Sequence, residues 1–225
     1  MAIYITSFYP LCSTSQGRKA VTKYNLNPYL DGSCRREPDF MHSFPCITGL
    51  CRPNFVKKLE ENDIIIYTTN KAGVGRRLLI AILQVDFVFE DHYKASHWYA
   101  LNNFPIPNNL MVLGNDPFSL DKTHHRYGNE IKNLLKTNLK YRNDSSLIIR
   151  LWDKGYLNRS IKQKKVVICH YWNNYRDTMN PIEINKDDNN WIFNRLPGTQ
   201  NPAELKDEEW KKFQEWLVSI KSNGS

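Results

Sequence analysis

The sequence predicts an α+β fold, and three observations carry that reading. Two runs rich in β-branched and aromatic residues, Ile64–Thr69 and Leu78–Phe89, stand eight residues apart and read as an antiparallel hairpin. Residues 203–221 repeat Trp210, Phe213, Leu217 and Ile220 at helical spacing with charges between them. The stretches 10–52 and 102–128 are punctuated by proline and glycine, and hold polar residues that strands and helices do not use.

Taken in order, residues 2–9 alternate well enough for a first strand, which Pro10 stops. Residues 10–52 then read as irregular, broken by Pro28, Gly32, Pro38, Pro45 and Gly49, while Tyr24, Tyr29, Phe40 and Phe44 argue that the region is ordered and packed. Residues 53–61 form a short helix with proline in its first turn. The hairpin follows, and Asp91 N-caps a helix to about Leu101. On that helix His92, Ser96 and Tyr99 share one face, and Lys94, Trp98 and Leu101 another. Residues 129–141 make an amphipathic helix with Ile131, Leu134, Leu135 and Leu139 inward. Residues 146–152 and 166–171 read as strands separated by a basic turn. No internal repeat is present, so the organisation is one domain over 1–200 with a helical extension over 201–225.

Composition narrows the class of function. A net charge of +8 and a pI near 9.2 favour a polyanionic partner, nucleic acid above all, over an acidic one. A merely solvated surface has the same charge. The longest apolar stretches fall far short of the ~20 residues of a membrane span. No basic, then apolar, leader opens the chain, so a cytoplasmic protein without membrane contact is expected. Five cysteines without a CxxC pair suit reduced thiols, and the spacing of Cys34, His42, Cys46 and Cys51 matches no common zinc finger. No metal or other cofactor is expected.

The segment Asp31-Gly32-Ser33-Cys34-Arg35-Arg36-Glu37-Pro38-Asp39 is too polar to read as core and reads as a recognition loop beside the stiff hairpin. The order of a helix, the turn Glu61-Asn62-Asp63, an apolar strand, a loop and a second strand ending in Gln84-Val85 resembles the PUA-like superfamily of small β-barrels (PUA, ASCH, EVE, YTH and SRA domains). There a Gly-Asp turn opens the first of these strands; Asn62 replaces the glycine, and Asn also enters the left-handed region. The segments DGSCRREPDF, CITGLCRP, NDIIIYTT, RLLIAILQV and HYKASHWY are similar to the bacterial nucleotide-modification-associated branch of that superfamily. The resemblance covers residues 3–120. It implies a PUA-like small mixed β-barrel with flanking helices and a C-terminal amphipathic helix, a pocket reading a base in DNA or RNA, often a modified one, and a setting in bacterial defence.

Within that frame Asp31, Ser33, Glu37 and Asp39 accept hydrogen bonds from a base, and Arg35, Arg36 and Arg52 suit phosphate or a guanine edge. Tyr67, His92, Trp98 and Tyr99 offer stacking faces. The connection with Lys71, Arg76 and Arg77 suits phosphate contact, as does a second cluster, Arg159, Lys162, Lys164 and Lys165, if it faces the same side. Plainer readings stand beside these: Tyr67 as a core aromatic, Arg35 and Arg36 as local ion pairs of Asp31 and Glu37. Two other classes remain. A nuclease or nucleotide-processing enzyme would use His92, His124 and Arg126, or paired carboxylates such as Asp31 with Glu37 or Asp39, although no Walker loop, Gly-x-Ser-x-Gly or His-Glu-x-x-His occurs. A protein-interaction module would dock through the Trp210 and Trp216 helix, where the two rings fall about 240° apart.

Overall fold

A computed structural model describes residues 1–69, 76–124, 145–175, 181–184 and 202–223. Strands β1 (Ile3–Phe8), β2 (Cys46–Thr48), β3 (Ile64–Thr69), β4 (Leu78–Phe89), β5 (Val166–Asn174), β6 (Ile182–Glu183) and β7 (Ala203–Glu204) form one mixed sheet. Its order is β2-β5-β4-β3-β1-β7, with β6 beside the start of β4, and the sheet curls into a half-barrel. Among the described strands only β1 and β3 run parallel; the hairpin β3–β4 and the remaining pairs are antiparallel. Bulges in β4 at Ile82/Leu83 and Val85/Phe87 bend it against β5, which supplies curvature.

The turn before β3 locks the parallel pair. Asn62 takes φ 72°, the left-handed conformation expected of a glycine substitute, and its N–H donates to Val85 O at 2.8 Å. Buried Asp63 then accepts from Ala2 N at 2.6 Å and Glu60 N at 2.9 Å, which ties the start of β1 to the start of β3. Alternation divides the sheet into two buried faces. Tyr4, Phe8, Ile65 and Tyr67 enter one core with Phe40, Phe55 and Leu59. Ile3, Ile5, Ile64 and Ile66 enter the other, covered by Trp210, Phe213 and Leu217. Burial on both faces explains why these strands read as unbroken apolar runs.

Five α-helices lie among the described residues: α1 (Ser15–Tyr24), α2 (Pro53–Val56), α3 (His92–Leu101), α4 (Ser145–Lys162) and α5 (Asp207–Asn223). Helix α3 is capped by Asp91, whose carboxylate accepts from Lys94 N at 2.8 Å. Helix α5 opens with Asp207, Glu208 and Glu209, which favour its N-terminus, and Glu209 accepts from Lys206 N at 2.8 Å.

Four sequence expectations need correction. The stretch 10–52 is not wholly irregular, because it holds α1 and β2. Helix α1 escapes a periodicity reading since only Gly17 and Ala20 are buried on it. Residues 146–152 are not a strand, and the following basic segment is helical as far as Lys162: both belong to the 18-residue α4, with Lys164 and Lys165 just beyond its end. Ile149, Trp152, Tyr156 and Ser160 turn one face of it inward at helical spacing, and Ile149, Tyr156 and Trp152 join one core. The helix after Pro53 stops at Val56 instead of continuing to 61. Residues 203 and 204 pair with β1, so the terminal helix starts only at Asp207. The expected helix at 129–141 lies outside the described residues, as do Lys71, His125 and Arg126.

Candidate functional site

A cavity of about 250 Å³ opens at the carboxyl end of β1, on the side where β1 and β3 run parallel. It is lined by Phe8 and Tyr9 from β1 and its end, Asp31, Ser33 and Glu37 from the polar loop, Cys51 and Arg52, His124, and Tyr156 and Arg159 from α4. The carboxyl ends of parallel strands are a general place for ligands, because chains leaving them diverge and leave a crevice.

The polar loop is held here by backbone bonds. Gly32 N donates to Tyr9 O at 3.3 Å and Leu11 N to Leu30 O at 2.7 Å, which lays residues 30–32 along the end of β1. His124 N donates to Gly32 O at 2.7 Å, and a Cβ on Gly32 would fall 2.1 Å from the His124 ring. Only glycine admits that imidazole to the cavity wall.

Asp31, 8% exposed, accepts from Ser33 N at 2.9 Å and from the Ser33 hydroxyl, both on Oδ1. This Asx turn fixes the carboxylate. Its Oδ2 has no hydrogen-bond partner among the described residues. Glu37 is 1% exposed: Thr48 N donates to Oε1 at 2.5 Å, while Thr48 Oγ1 at 2.5 Å and Asn109 Nδ2 at 3.3 Å donate to Oε2. Burial pushes this carboxyl up to about 8, and the three donors and Arg52 oppose the shift without cancelling it.

Arg52 lies beneath. Its Nη2 donates to Ser7 O at 2.6 Å and its guanidinium sits 5.9 Å from the Tyr67 ring centroid. Arg77 reaches the same point, donating to Ser7 Oγ at 3.4 Å, so two cations meet at the end of β1. Tyr67 is fully buried between Phe8 and Phe40, and its hydroxyl has no hydrogen-bond partner among the described residues. Burial raises its phenol strongly; Arg52 opposes that, while Glu37 and Asp31 add to it, which puts the hydroxyl within electrostatic reach of three cavity residues.

The residues singled out from sequence divide among several places. Asp31, Ser33, Glu37 and Arg52 line this cavity, with Tyr67 and Arg77 beneath or beside it. Arg35 does not line it: Nε and Nη2 form a two-pronged pair with Asp153 at 2.6 and 2.8 Å, and Nη1 donates to Asn108 O and Asn115 O. Arg36, 1% exposed, lies 4.1 Å from the Phe118 ring and donates to Met41 Sδ, and burial lowers its pKa against the pull of Asp39 and Asp31. Its Nε and Nη2 have no hydrogen-bond partner among the described residues. Asp39 accepts from Asn108 N at 3.0 Å and pairs with His42 at 3.4 Å; burial alone would raise its carboxyl, but His42, Asn108 and Arg36 hold it below its usual value.

His92 lines a separate cavity of about 310 Å³ between α3 and α4. Its Nδ1 accepts from Met111 N at 3.2 Å, and burial lowers its pKa to about 4, leaving it neutral. Tyr99 borders a third cavity with His42 and Phe44, donating to Phe44 O at 2.6 Å. Trp98 packs beside it against Phe44, Phe87 and Phe104. Arg76 is exposed and pairs with Glu183 at 3.4 Å. Thus His92 and His124 are not brought together, whereas Asp31 and Glu37 are. Among the described residues no three His, Cys, Asp or Glu side chains converge to hold a metal ion, and no helix is long and apolar enough to cross a membrane.

Phe8, Tyr9, Cys51 and Tyr156 escaped sequence reasoning. The first two read as the end of a strand, and Tyr156 lies on the helix whose start reads as a strand. No protein-family model, curated protein or solved structure matches this chain.

Proposed function

We propose that the cavity at the carboxyl end of β1 binds a nucleobase, and that the protein is a nucleic-acid-binding module on a PUA-like barrel. The observation that carries this is the fixed Asp31 carboxylate, whose Oδ2 is left to accept from a ligand at the mouth of an aromatic-walled cavity. An exocyclic amine or ring N–H of a base suits that oxygen, and Tyr9 offers an exposed ring for a planar group, with buried Phe8 and Tyr156, the latter under the Arg159 guanidinium at 4.5 Å, completing an aromatic lining. Arg52 and Arg159 favour a ligand that carries phosphate or carbonyl oxygens. The size, about 250 Å³, suits one base better than a dinucleotide. Modification of the base and a place in bacterial defence follow from the resemblance over residues 3–120.

The test is calorimetric titration with nucleosides, nucleotides and short DNA and RNA, modified and unmodified, across a salt series. Asp31→Asn keeps an acceptor for Ser33 but exchanges the free oxygen for an amide, so binding of amine-bearing bases should weaken roughly ten- to hundredfold, the ~1–3 kcal/mol of a base-edge contact. Equal binding by wild type and variant would sink the reading. Weak, sequence-blind binding abolished by salt would reduce the +8 charge to ordinary electrostatics.

One observation favours a second reading. Asp31, Glu37 and His124 line the same cavity, and a carboxyl near 8 suits proton transfer at neutral pH, so the site can be argued as that of a nucleotide-processing hydrolase. Incubation with each bound nucleotide, followed by chromatography for a released base or phosphate, decides it. Intact ligand after prolonged incubation contradicts catalysis.

A further inference from the structure

The cavity of about 310 Å³ that His92 lines between α3 and α4 is the floor of an apolar groove, which the base-binding reading leaves unused. We propose that this groove docks an acidic amphipathic helix of a partner protein, which seats apolar side chains between α3 and α4 and lays carboxylates against the cations of α4. Neither the groove nor its occupant depends on what the cavity at the end of β1 binds.

Apolar exposure is the first observation. Tyr93 on α3 and Leu157 and Ile161 on α4 line the groove and are 66%, 48% and 64% exposed, and buried Met111 joins them in the lining. Apolar side chains scattered singly over a surface need no explanation, but three large ones around one concavity mark a docking site. The polar groups of the lining are engaged within the fold: Asp91 accepts from Lys94 N at 2.8 Å, His92 Nδ1 accepts from Met111 N at 3.2 Å, and the Ser160 hydroxyl donates to Leu157 O at 2.8 Å. Burial lowers His92 to about 4, so it brings no charge to the floor. What meets an occupant is therefore mostly hydrocarbon and the Tyr93 ring. The volume lies at the small end of ligand clefts and the apolar rim is open, so side chains inserted from a helix suit it better than a whole small molecule.

Charge is the second. Arg150, Lys154, Leu157 and Ile161 fall within about 60° of one another around α4, so one exposed stripe carries two cations and then two apolar residues. Lys164, just past the end of the helix, lines the same groove, which puts cations at both ends of the apolar pair. The neighbouring carboxylates are committed elsewhere: Asp91 caps α3, Glu90 pairs with Lys94, and Asp153 is bonded to Arg35. From 150 to 161 the stripe runs about 17 Å, three turns, which matches the i, i+3, i+4 and i+7 anchors of a docked helix. The same cations choose the occupant. Two copies of this chain joined through this face would set Arg150, Lys154 and Lys164 against like charges, and a basic helix would meet the same repulsion. A nucleic-acid backbone would satisfy the cations but set Leu157 and Ile161 against phosphate.

The probe is a library of displayed helical peptides about four turns long, with randomised faces, selected on the full chain. Enriched peptides should be acidic and carry apolar residues at helical spacing. Made synthetically, they should bind Leu157→Glu and Ile161→Glu at least about tenfold more weakly than wild type, and Lys154→Glu about threefold more weakly. These side chains are exposed, so each variant should melt within about 2 °C of wild type and keep any nucleotide binding at the end of β1, which separates lost docking from a damaged fold. Enriched peptides that are neutral or basic, or that bind the glutamate variants as tightly as wild type, overturn the proposal, as does a selection that enriches none. A wild type that sediments as a dimer beside a monomeric Ile161→Glu gives the groove to a second copy. Binding to phosphatidylglycerol vesicles in preference to every peptide gives it to an anionic lipid surface. Either result also overturns the proposal.

Discussion

Charge in this chain is not a guide to exposure. Every residue from Asp31 to Phe40 is buried, although the segment holds two arginines and three carboxylates. Sequence marks it as chemically dense, and that much was legible. What it cannot show is that Asp153, 118 positions away, neutralises Arg35, or that Thr48 and Asn109 satisfy Glu37. The segment therefore mixes two roles that look alike in sequence: Arg35 and Glu37 hold the loop in place, while Asp31 keeps an oxygen free. Arg35→Ala would leave Asp153 and two backbone carbonyls without their donor, and should cost about 3 kcal/mol in chemical denaturation. Unchanged stability would return Arg35 to the surface. A pH prediction follows from Glu37. Its folded carboxyl is raised from 4.5 to about 8, so the folded state holds a proton that the unfolded chain releases. The stability this gives is complete below pH 4.5 and is lost as pH rises through 8. His92 works oppositely: lowered from 6.5 to about 4, it contributes stability above 6.5 that is lost as pH falls through 4. Between pH 6.5 and 8 the Glu37 slope operates below the range of the buried thiols, so Tm should fall over that interval in wild type and fall less in Glu37→Gln. Each 1 kcal/mol lost is roughly 2–4 °C in a chain of this size. A flat wild-type profile would show that Glu37 stays ionised.

At the scale of elements, the hairpin, the α3 cap and the terminal helix were legible because local chemistry and tertiary packing agree there. Asn62 could be read as a left-handed residue because it stands where the Gly-Asp turn of PUA-like domains has its glycine, and its φ is 72°. Helix α4 was not legible, since its apolar, β-branched start at 147–149 imitates a strand and the inward side chains Trp152, Tyr156 and Ser160 follow among exposed cations. Helix α1 was hidden for the opposite reason: it buries too little to leave a stripe. Because α4 brings Tyr156 to the cavity, that residue's part in the candidate site was hidden before the fold, while Arg159 was legible as one of a basic cluster but not as a cavity residue. Gly155→Ala should stabilise the protein by about 1 kcal/mol in urea denaturation, the intrinsic difference between the two residues in a helix. Destabilisation would mean that something packs tightly against that flank in the free protein.

The molecule as a whole is a curled sheet buried on both faces, and the two covers differ in kind. One face looks into loops and α2 around Tyr67, Phe40 and Phe55, next to the cavity. The other is closed by α5, whose Trp210 and Phe213 pack on the face formed by Ile3, Ile5, Ile64 and Ile66, with Trp216 partly buried against Phe213. Deleting residues 203–225 would bare that apolar face and remove β7 from β1, so the truncated chain should aggregate or lose cooperative unfolding. A soluble truncation with a sharp melt would make the helix an appendage and restore it as a docking element. Of the basic groups, Arg52 and Arg159 line the cavity, and Arg77 reaches Ser7 beside Arg52. The most direct test of a base in this cavity is the alkylation rate, at alkaline pH, of Cys51, an exposed residue on its wall whose thiol burial pushes well above the ordinary range, set against that of Cys12, a thiol also raised by burial that does not line the cavity, while nucleotides and single-stranded oligomers are added. Saturating ligand should slow Cys51 several-fold and leave Cys12 unchanged. A Cys51 rate that no nucleotide or oligomer alters, under conditions where binding is measured, would place the ligand elsewhere and contradict the account.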